Sequence, residues 1–409
     1  MHSRPQPAKA GPASVEAHRD KVRALLAGLA VRTDTVPLAD ALGRGLARNI
    51  TAPLDLPPFA NSQMDGYAVR SADLAEGGTE LRVTDPVPAG AQPAALAAGT
   101  AAPIMTGAMI PPGADAVVPI EAAEPDVFPE PGSPATVRLP ATATGTYVRA
   151  AGSDIAAGTR ALAAGTYLGP GQLGLLAALG LAEAPVHAAP TVLLVTTGDE
   201  VVAPGTPLEA GKIYDANSTL LDSGLRQAGL AVTRAGITAD DPAALERLLR
   251  AHAPSVDLII TTGGVSKGAY EVVRQALEGH GVEFGSVAMQ PGGPQGLGTF
   301  DGVPVLCFPG NPVSCLVSFE MFLRPVLTGL LGSPAGRTAV RARLAAPLTS
   351  PAAKHQVRRG TLTPDGTVHL EGGPGSHLVH ALALSNALVH VPAGTPELAA
   401  DDEVEVWVL

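Results

Sequence analysis

The sequence predicts a multidomain α/β protein: a doubly wound α/β sheet in the middle, a small, mostly β module before it and a small β domain at the end. Three observations carry that expectation. From about Thr191, apolar strand-like runs alternate with helix-like segments; between Thr51 and Val148, short β-prone pieces are separated by Pro and Gly; and after Gly332 the chain returns to short alternating pieces. At roughly 150 residues per domain, a chain of 409 residues has room for about two to four such parts.

The elements follow in order. Ser14 to Leu29 reads as an amphipathic helix, with Ser14 as cap and Val22, Leu25, Leu26 and Leu29 at helical spacing. A second short helical stretch is expected from Leu38 to Ala47. In the β module, Leu81 to Thr84 and Ala116 to Ile120 are strand-like, and the proline-rich segment Glu124 to Pro134 is expected to be an exposed loop. Further on, strands are expected at Thr191–Thr196, Ala231–Arg234, Asp257–Thr261, Glu283–Met289 and Pro304–Phe308. Helices are expected at Asn217–Ala228, after Asp241-Pro242, and over the apolar run Val313–Leu331. Repeated β-α-β units imply a parallel sheet covered on both faces. The tail, Asp402 to Leu409, alternates Val404, Val406 and Val408 on one face.

Composition narrows the function. A net charge of −11, with only seven Phe, five Tyr and one Trp, offers neither the basic stripe nor the stacking rings of a nucleic-acid binder. The 47 Gly and 39 Pro follow no Gly-X-Y period, which excludes collagen. Cys307 and Cys315, the two cysteines, match neither a disulfide framework nor a zinc pattern, so a reducing compartment is expected. No apolar signal core precedes Asp20, and prolines or glycines interrupt both Ala161–Ala182 and Val303–Phe319, so no membrane span is expected and the chain reads as cytoplasmic.

In open α/β sheets, ligands bind beyond the carboxyl ends of the strands, where glycine turns expose backbone N–H groups. Three such turns follow expected strands. They are Thr196-Thr197-Gly198-Asp199-Glu200, Thr261-Thr262-Gly263-Gly264-Val265-Ser266 and Phe308-Pro309-Gly310-Asn311-Pro312-Val313-Ser314. None is a Walker A loop or a dinucleotide fingerprint. Asp199, Glu200, Asp215, Asp240, Asp241 and Glu271 lie near them in sequence. Such hard oxygen ligands suit Mg2+ on a phosphate; the alternative is that they are solvated loop residues and helix caps.

The segment Pro57-Pro58-Phe59-Ala60-Asn61-Ser62-Gln63-Met64-Asp65-Gly66-Tyr67-Ala68-Val69-Arg70 resembles the PPFDNSAMDGYAVR signature of molybdopterin molybdenumtransferases, the MoeA type that also forms the gephyrin E domain. The resemblance continues through Ile104–Ala108, Pro112–Val118, Val148-Arg149, Gly152–Ile155, the three glycine turns and Ile213–Asn217. It implies a homodimer whose protomer has a helical and linking part (1–50 with 149–187), an inserted elongated β module (51–148), a molybdopterin adenylyltransferase-like α/β domain (188–332) and a C-terminal small β-barrel domain (333–409). The implied reaction joins adenylylated molybdopterin and molybdate, with Mg2+, to give molybdenum cofactor and AMP.

Carried over by position, Asp65, Thr106 and Asp154 are catalytic residues of one subunit, and Glu200, Asp240 and Glu271 are catalytic and metal-holding residues of the facing α/β domain. Thr197, Gly198, Asp199, Asp215, Asn217, Thr262, Gly263, Gly264, Ser266, Lys267, Pro309, Gly310, Asn311, Ser314 and Arg359 bind the pterin nucleotide. Molybdopterin adenylyltransferase and molybdoenzyme apoproteins are the implied protein partners.

The sequence departs from the family at telling places. Ala60 stands for an Asp, Gln63 for a small residue and Glu271 for an Asp. In the family's f-x-K-x-A-x-K-P-G-K-P stretch, three lysines are replaced by Ser286, Gln290 and Gly293. Lys267 could restore one positive charge. Two further readings therefore stand beside the enzyme: a gephyrin-like scaffold, and a diverged paralogue that binds molybdopterin without inserting metal. Between Glu320 and Asp365 lie seven basic residues and no acid, expected mainly to solvate a β surface. Five of the ten histidines follow Lys354 without a zinc pattern.

Overall fold

Helix α1 (Val15–Leu26) begins where the sequence places its cap. The Ser14 side chain accepts a hydrogen bond from Ala17 N at 3.1 Å, and Val15, Val22 and Leu26 are buried along one face. The structure, a computed structural model, describes residues 11–29, 32–130, 133–238, 241–265, 271–331 and 336–409. Contacts divide it into two units, Met1–Ala47 with Gly165–Gly169 and Pro185–Leu409, and Arg48–Ala164 with Pro170–Ala184. The stretch Leu38 to Ala47, expected to be helical, holds only a 3-10 turn at Leu38–Asp40. Gly43 adopts φ +80°, and Gly45 and Leu46 form extended bridges to Tyr167 and Val186, which a helix cannot do.

The unit built around Arg48–Ala164 contains β1 (Gly66–Val69), β2 (Thr79–Val83), β3 (Thr100–Ile104), β4 (Ala116–Pro119) and β5 (Thr136–Leu139). They form one sheet in the order β4-β1-β3-β2-β5, with only β2 and β3 parallel. Alternating residues cover its two faces: Tyr67, Val69 and Val118 on one, Ala68, Ile104 and Val117 on the other.

The other unit carries a doubly wound layer. Its elements are β6 (Thr191–Thr197), α2 (Ala216–Gln227), β7 (Ala231–Thr238), α3 (Pro242–His252), β8 (Leu258–Thr262), α4 (Val272–Leu277), β9 (Val282–Ser286), β10 (Met289–Gln290), β11 (Pro294–Phe300), β12 (Val303–Phe308) and α5 (Pro312–Leu331). The sheet order is β7-β6-β8-β12-β11-β9. Strands β7, β6, β8 and β12 are parallel, whereas β11 runs antiparallel to both its neighbours, β12 and β9. The sheet is therefore mixed where an all-parallel one was expected, and the strand expected over Glu283–Met289 stops at Ser286. Strand β11, Pro-Gln-Gly-Leu-Gly-Thr-Phe, reads as loop because of its glycines, yet close packing requires them. A Cβ on Gly298 would lie 2.1 Å from Gly281 O.

Alternate residues of β6 face opposite cores. Val192 and Leu194 join Leu221, Leu225 and Val317 of α2 and α5, while Leu193 and Val195 join Leu245, Leu249 and Val273 of α3 and α4. Helix α5 is long and apolar enough to cross a membrane by length and composition, but 72% of its most apolar window is buried inside the protein, as in a core helix.

The C-terminal strands β13 (Thr338–Leu344), β14 (His355–Leu362), β15 (Thr367–Leu370), β16 (Ala387–Val391) and β17 (Glu403–Val408) follow the order β14-β15-β13-β17-β16. Pairing of β16 with β14 closes them into a small barrel. The short β10 adds in parallel to β14 and so ties the barrel to the α/β layer.

Two of the basic residues expected on a solvated surface, Arg324 and Arg337, instead join a buried glutamate in an ion triad. Glu320 on α5 is fully buried; Arg324 Nε lies 2.9 Å from its Oε2, and Arg337 grips both its oxygens at 3.0 and 2.9 Å. Removing one member of such a group strands the other charges in low dielectric. Glu320→Ala should lower unfolding stability by about 3–5 kcal/mol, read as a reduced urea midpoint.

Candidate functional site

The three glycine turns converge at the carboxyl edge of β6, β8 and β12, because parallel strands in register end together. Asn217, in the first turn of α2, fastens them. Its Nδ2 donates to Thr262 Oγ1 at 2.9 Å and to Gly310 O at 2.6 Å. Gly263 N donates to Phe308 O at 3.2 Å, and a Cβ on Gly310 would sit 3.3 Å from Gly263 Cα. The two turns therefore pack backbone against backbone, which leaves Gly310 little room for a larger residue. Gly198 adopts φ +138°, and a Cβ there would lie 2.8 Å from Glu200 Oε2, so the carboxylate lies over a bare backbone.

These turns line a cavity of about 1150 Å³, ample for a nucleotide-sized ligand. Of the expected binding residues, Thr197, Gly198, Asp215, Asn217, Gly263, Gly264, Pro309, Gly310, Asn311 and Ser314 line it, as do Glu200 and Glu271. Thr262 lies behind the lining as an acceptor for Asn217. Asp199 is exposed and outside the lining, its carbonyl accepting from Lys212 Nζ at 2.7 Å. Asp240, Ser266 and Lys267 lie outside the described residues.

Asp215 has a structural duty. It caps α2, accepting from Ser218 N at 2.9 Å and from the Ser218 hydroxyl, which also lies 2.6 Å from Thr196 Oγ1. Asp241 caps α3 in the same way, accepting from Ala243 N at 2.9 Å. The helix-cap reading thus holds for both. Among the described residues, no three His, Cys, Asp or Glu side chains converge on a metal position.

Two buried oxygens of lining residues, Thr197 Oγ1 and Asn217 Oδ1, have no hydrogen-bond partner among the described residues. Buried acceptors are normally satisfied, so the cavity suits a ligand that brings N–H or O–H donors. The start of α5 also faces it through Asn311, Pro312 and Ser314, adding the positive end of a 20-residue helix. Cys315 lies below, its Sγ 3.6 Å from Thr262 Oγ1; burial pushes its thiol, like that of Cys307, up to about 12. Neither thiol is a nucleophile at neutral pH.

Sequence reasoning missed part of the wall. The barrel contributes Lys354 and the segment Pro374–His377, and β9 to β11 contribute Ser286, Gln290 and Gly293, the three positions where the family resemblance calls for lysine. The signal was available: Gly372-Gly373-Pro374-Gly375-Ser376-His377 is a fourth glycine turn after a strand, but it lies outside the α/β stretch. Val313 N donates to Ser376 O at 3.1 Å, joining that turn to the start of α5. Arg359 is buried and outside the lining. Its Nη2 donates to Gly373 O, beside Pro374 of the wall, while its Nε and Nη1 have no partner.

Within the other unit, Asp65 and Thr106 form a pair. Asp65 Oδ1 accepts from Thr106 Oγ1 at 2.7 Å and from Thr106 N at 2.6 Å. The hydroxyl, then the amide, hold its carboxyl below the usual carboxylate range although it is exposed. Asp154 is exposed in the same unit, its backbone N–H on Leu56 O at 2.9 Å.

A glycine-lined cavity with acids on its wall, at the carboxyl edge of a doubly wound sheet, is where α/β proteins of this class bind their ligands. Comparison with known proteins carries this further. Residues 13–180 match the MoeA N-terminal region (domain I and II), residues 193–329 a probable molybdopterin binding domain, and residues 341–409 the MoeA C-terminal region (domain IV). Molybdopterin molybdenumtransferase 2 of Mycobacterium tuberculosis is 45% identical, covering 97% of this chain and 99% of that protein. The molybdopterin molybdenumtransferase of Synechococcus elongatus is 37% identical over 93% of this chain and 96% of its own. A crystal structure of the molybdopterin biosynthesis MoeA protein from Pyrococcus horikoshii OT3 has a TM-score of 0.82 at 26% identity, covering 98% of this chain and 100% of that one. The chain belongs to the molybdopterin molybdenumtransferase family, and its class of activity is group transfer.

Two outcomes follow from the geometry. Asn217→Ala removes the donor to two acceptors at once, so it should lower stability by about 1–3 kcal/mol and weaken ligand binding, read by thermal unfolding with and without AMP. The depressed Asp65 carboxyl contributes stability above its unfolded value of about 3.9, and that contribution is lost as pH falls through the folded value. Thr106→Val, which keeps the amide but removes the hydroxyl, should move the Asp65 titration upward in carboxyl-carbon NMR.

Proposed function

We propose that this protein inserts molybdenum from molybdate into adenylylated molybdopterin with release of AMP, as a Mg2+-dependent homodimer in the cytoplasm. One observation carries the reading: a single cavity joins three backbone turns and a helix start, suited to phosphate, with Glu200 and Glu271 on its wall. Adenylylated molybdopterin has the matching chemistry, a pyrophosphate for the amides and a pterin whose N–H groups suit Thr197 Oγ1 and Asn217 Oδ1.

Mg2+ takes one or two protein carboxylates and completes its shell with phosphate oxygens and water, a donor set that Glu200 and Glu271 fit, with Asp240 as the third candidate. Bound there, it would neutralise charge on the pyrophosphate. The turns bearing Gly263, Gly264, Gly310 and Asn311 hold the ligand, and Ser314 at the start of α5 faces its phosphates. Arg359 supports the wall at Gly373. Attack of water at the adenylyl phosphorus breaks the phosphoanhydride: the water oxygen stays on that phosphorus, which is released as AMP, and the molybdopterin phosphate is the leaving group.

In this reading Asp65, Thr106 and Asp154 of one subunit complete the site of the other. The four-part division at 50, 148, 187 and 332 is its domain plan. Adenylyltransferase upstream and apoenzymes downstream are its partners.

The test follows AMP after mixing purified protein, adenylylated molybdopterin, Mg2+ and molybdate. Molybdate-dependent AMP supports the enzyme. Pterin binding without such AMP favours the metal-free paralogue, and no pterin binding favours the scaffold. Asp65→Asn and Glu200→Gln should each fold and lose turnover. Co-expressed, the two variants should regain about a quarter of wild-type activity, since half the dimers are mixed and each has one intact composite site. Absence of any recovery would remove the shared-site assignment.

A further inference from the structure

The cavity of a polyanion-binding protein needs positive charge, and its acids here outnumber its bases. Among the described lining residues, Glu200, Asp215 and Glu271 are acidic, and Lys354 is the only lysine or arginine. Resting on the function proposed above, we infer that Lys354 is an anion-binding cation of this site, supplied by the barrel in place of lysines that the segment Ser286–Gly293 lacks.

The strand register makes the substitution possible. Met289 pairs with His355 and Gln290 with Gln356 in the parallel β10–β14 ladder, and His355 N donates to Ala288 O at 2.8 Å. Lys354 therefore sits one residue before the ladder, alongside the stretch that runs from Ser286 to Gln290. A cation lost from one strand is replaced from its hydrogen-bonded neighbour, across roughly the 4.8 Å between paired strands.

The backbone holding Lys354 is fixed. Its N–H donates to Pro351 O at 3.0 Å, and Gly394 N donates to Ala352 O at 2.7 Å. The side chain is exposed, and among the described residues no carboxylate lies within ion-pair distance of its ammonium. A compact ammonium on a flexible stem, anchored at its base and unengaged at its tip, is suited to meet a phosphate or molybdate oxygen. His377, from the same barrel wall, adds no charge when neutral.

The experiment measures binding of AMP, with and without molybdate, to the full-length protein by calorimetry at several salt concentrations. Lys354→Ala and Lys354→Gln should weaken AMP binding by about tenfold or more and flatten its salt dependence, with unchanged melting temperature. Lys354→Arg should retain most of the affinity, and Ser286→Lys added to Lys354→Ala should restore it, since Ser286 is exposed on the same wall. Arg341→Ala, which removes one charge from an exposed barrel strand outside the lining, is the control. Wild-type affinity in Lys354→Ala, or an equal loss in Arg341→Ala, would overturn the inference. Failure of the wild-type protein to bind either AMP or adenylylated molybdopterin would instead overturn the reading of the cavity, and this inference with it.

Discussion

The ligand-facing edge of the sheet depends on one buried amide. Asn217 donates one hydrogen bond to the end of β8 and another to the turn after β12, and it stands in the first turn of the helix that follows β6. Three loops from three strands thus share a single side chain. Its position is itself fixed by Asp215, which caps the helix, and by the Ser218–Thr196 contact beneath it. Gly263 and Gly310 can then approach backbone to backbone. Turns fixed in this way are oriented before a ligand arrives, which lowers the entropic cost of binding.

Much of this was legible in the sequence, for an identifiable reason. Apolar runs ending in Gly, such as Thr261-Thr262-Gly263-Gly264, combine a strand signal with a turn signal, and parallel strands bring such turns to one edge. What escaped notice depended on long-range partners. Strand β11 looks like a loop because Gly296 and Gly298 are there for clearance against Phe284 and Gly281, residues of the neighbouring strand and its approach. The run Leu38–Ala47 looks helical because its apolar residues meet bridges to residues more than a hundred positions away. The buried triad was missed for a local reason. A basic window opened after Glu320 left out the one acid that defines it, although Glu320 and Arg324 stand i, i+4 on a helix.

The carboxylates show where local sequence stops being informative. Asp215 and Asp241 each precede a helix by one residue and cap it; Asp215 also lines the cavity, together with Glu200 and Glu271. The sequence offers the same chemistry at all four positions. Only the backbone decides which carboxylate faces its own helix and which faces a ligand. Arg359 presents the same distinction in a base. Its match to a family motif suggests contact with the anion, yet its guanidinium lies buried with one bond to Gly373 O, supporting the Pro374–His377 wall. An arginine in that place holds the wall rather than lining the cavity.

A chain of net charge −11 can still hold a polyanion, because the groups facing the phosphate need not be ionised side chains. The glycine turns at the sheet edge and the start of α5 carry partial charges that do not titrate and are oriented by the fold. Such groups lose little to salt when sheltered, while an exposed ammonium loses much. The balance between the two kinds of group therefore determines how affinity responds to ionic strength. A family member with several lysines on the Ser286–Gly293 segment would draw its ligand from farther away. In this chain that segment is neutral and the one described lining lysine lies just before the adjacent strand, so under the proposed function the fixed dipoles of the glycine turns, and the amide that holds those turns together, would carry more of the binding.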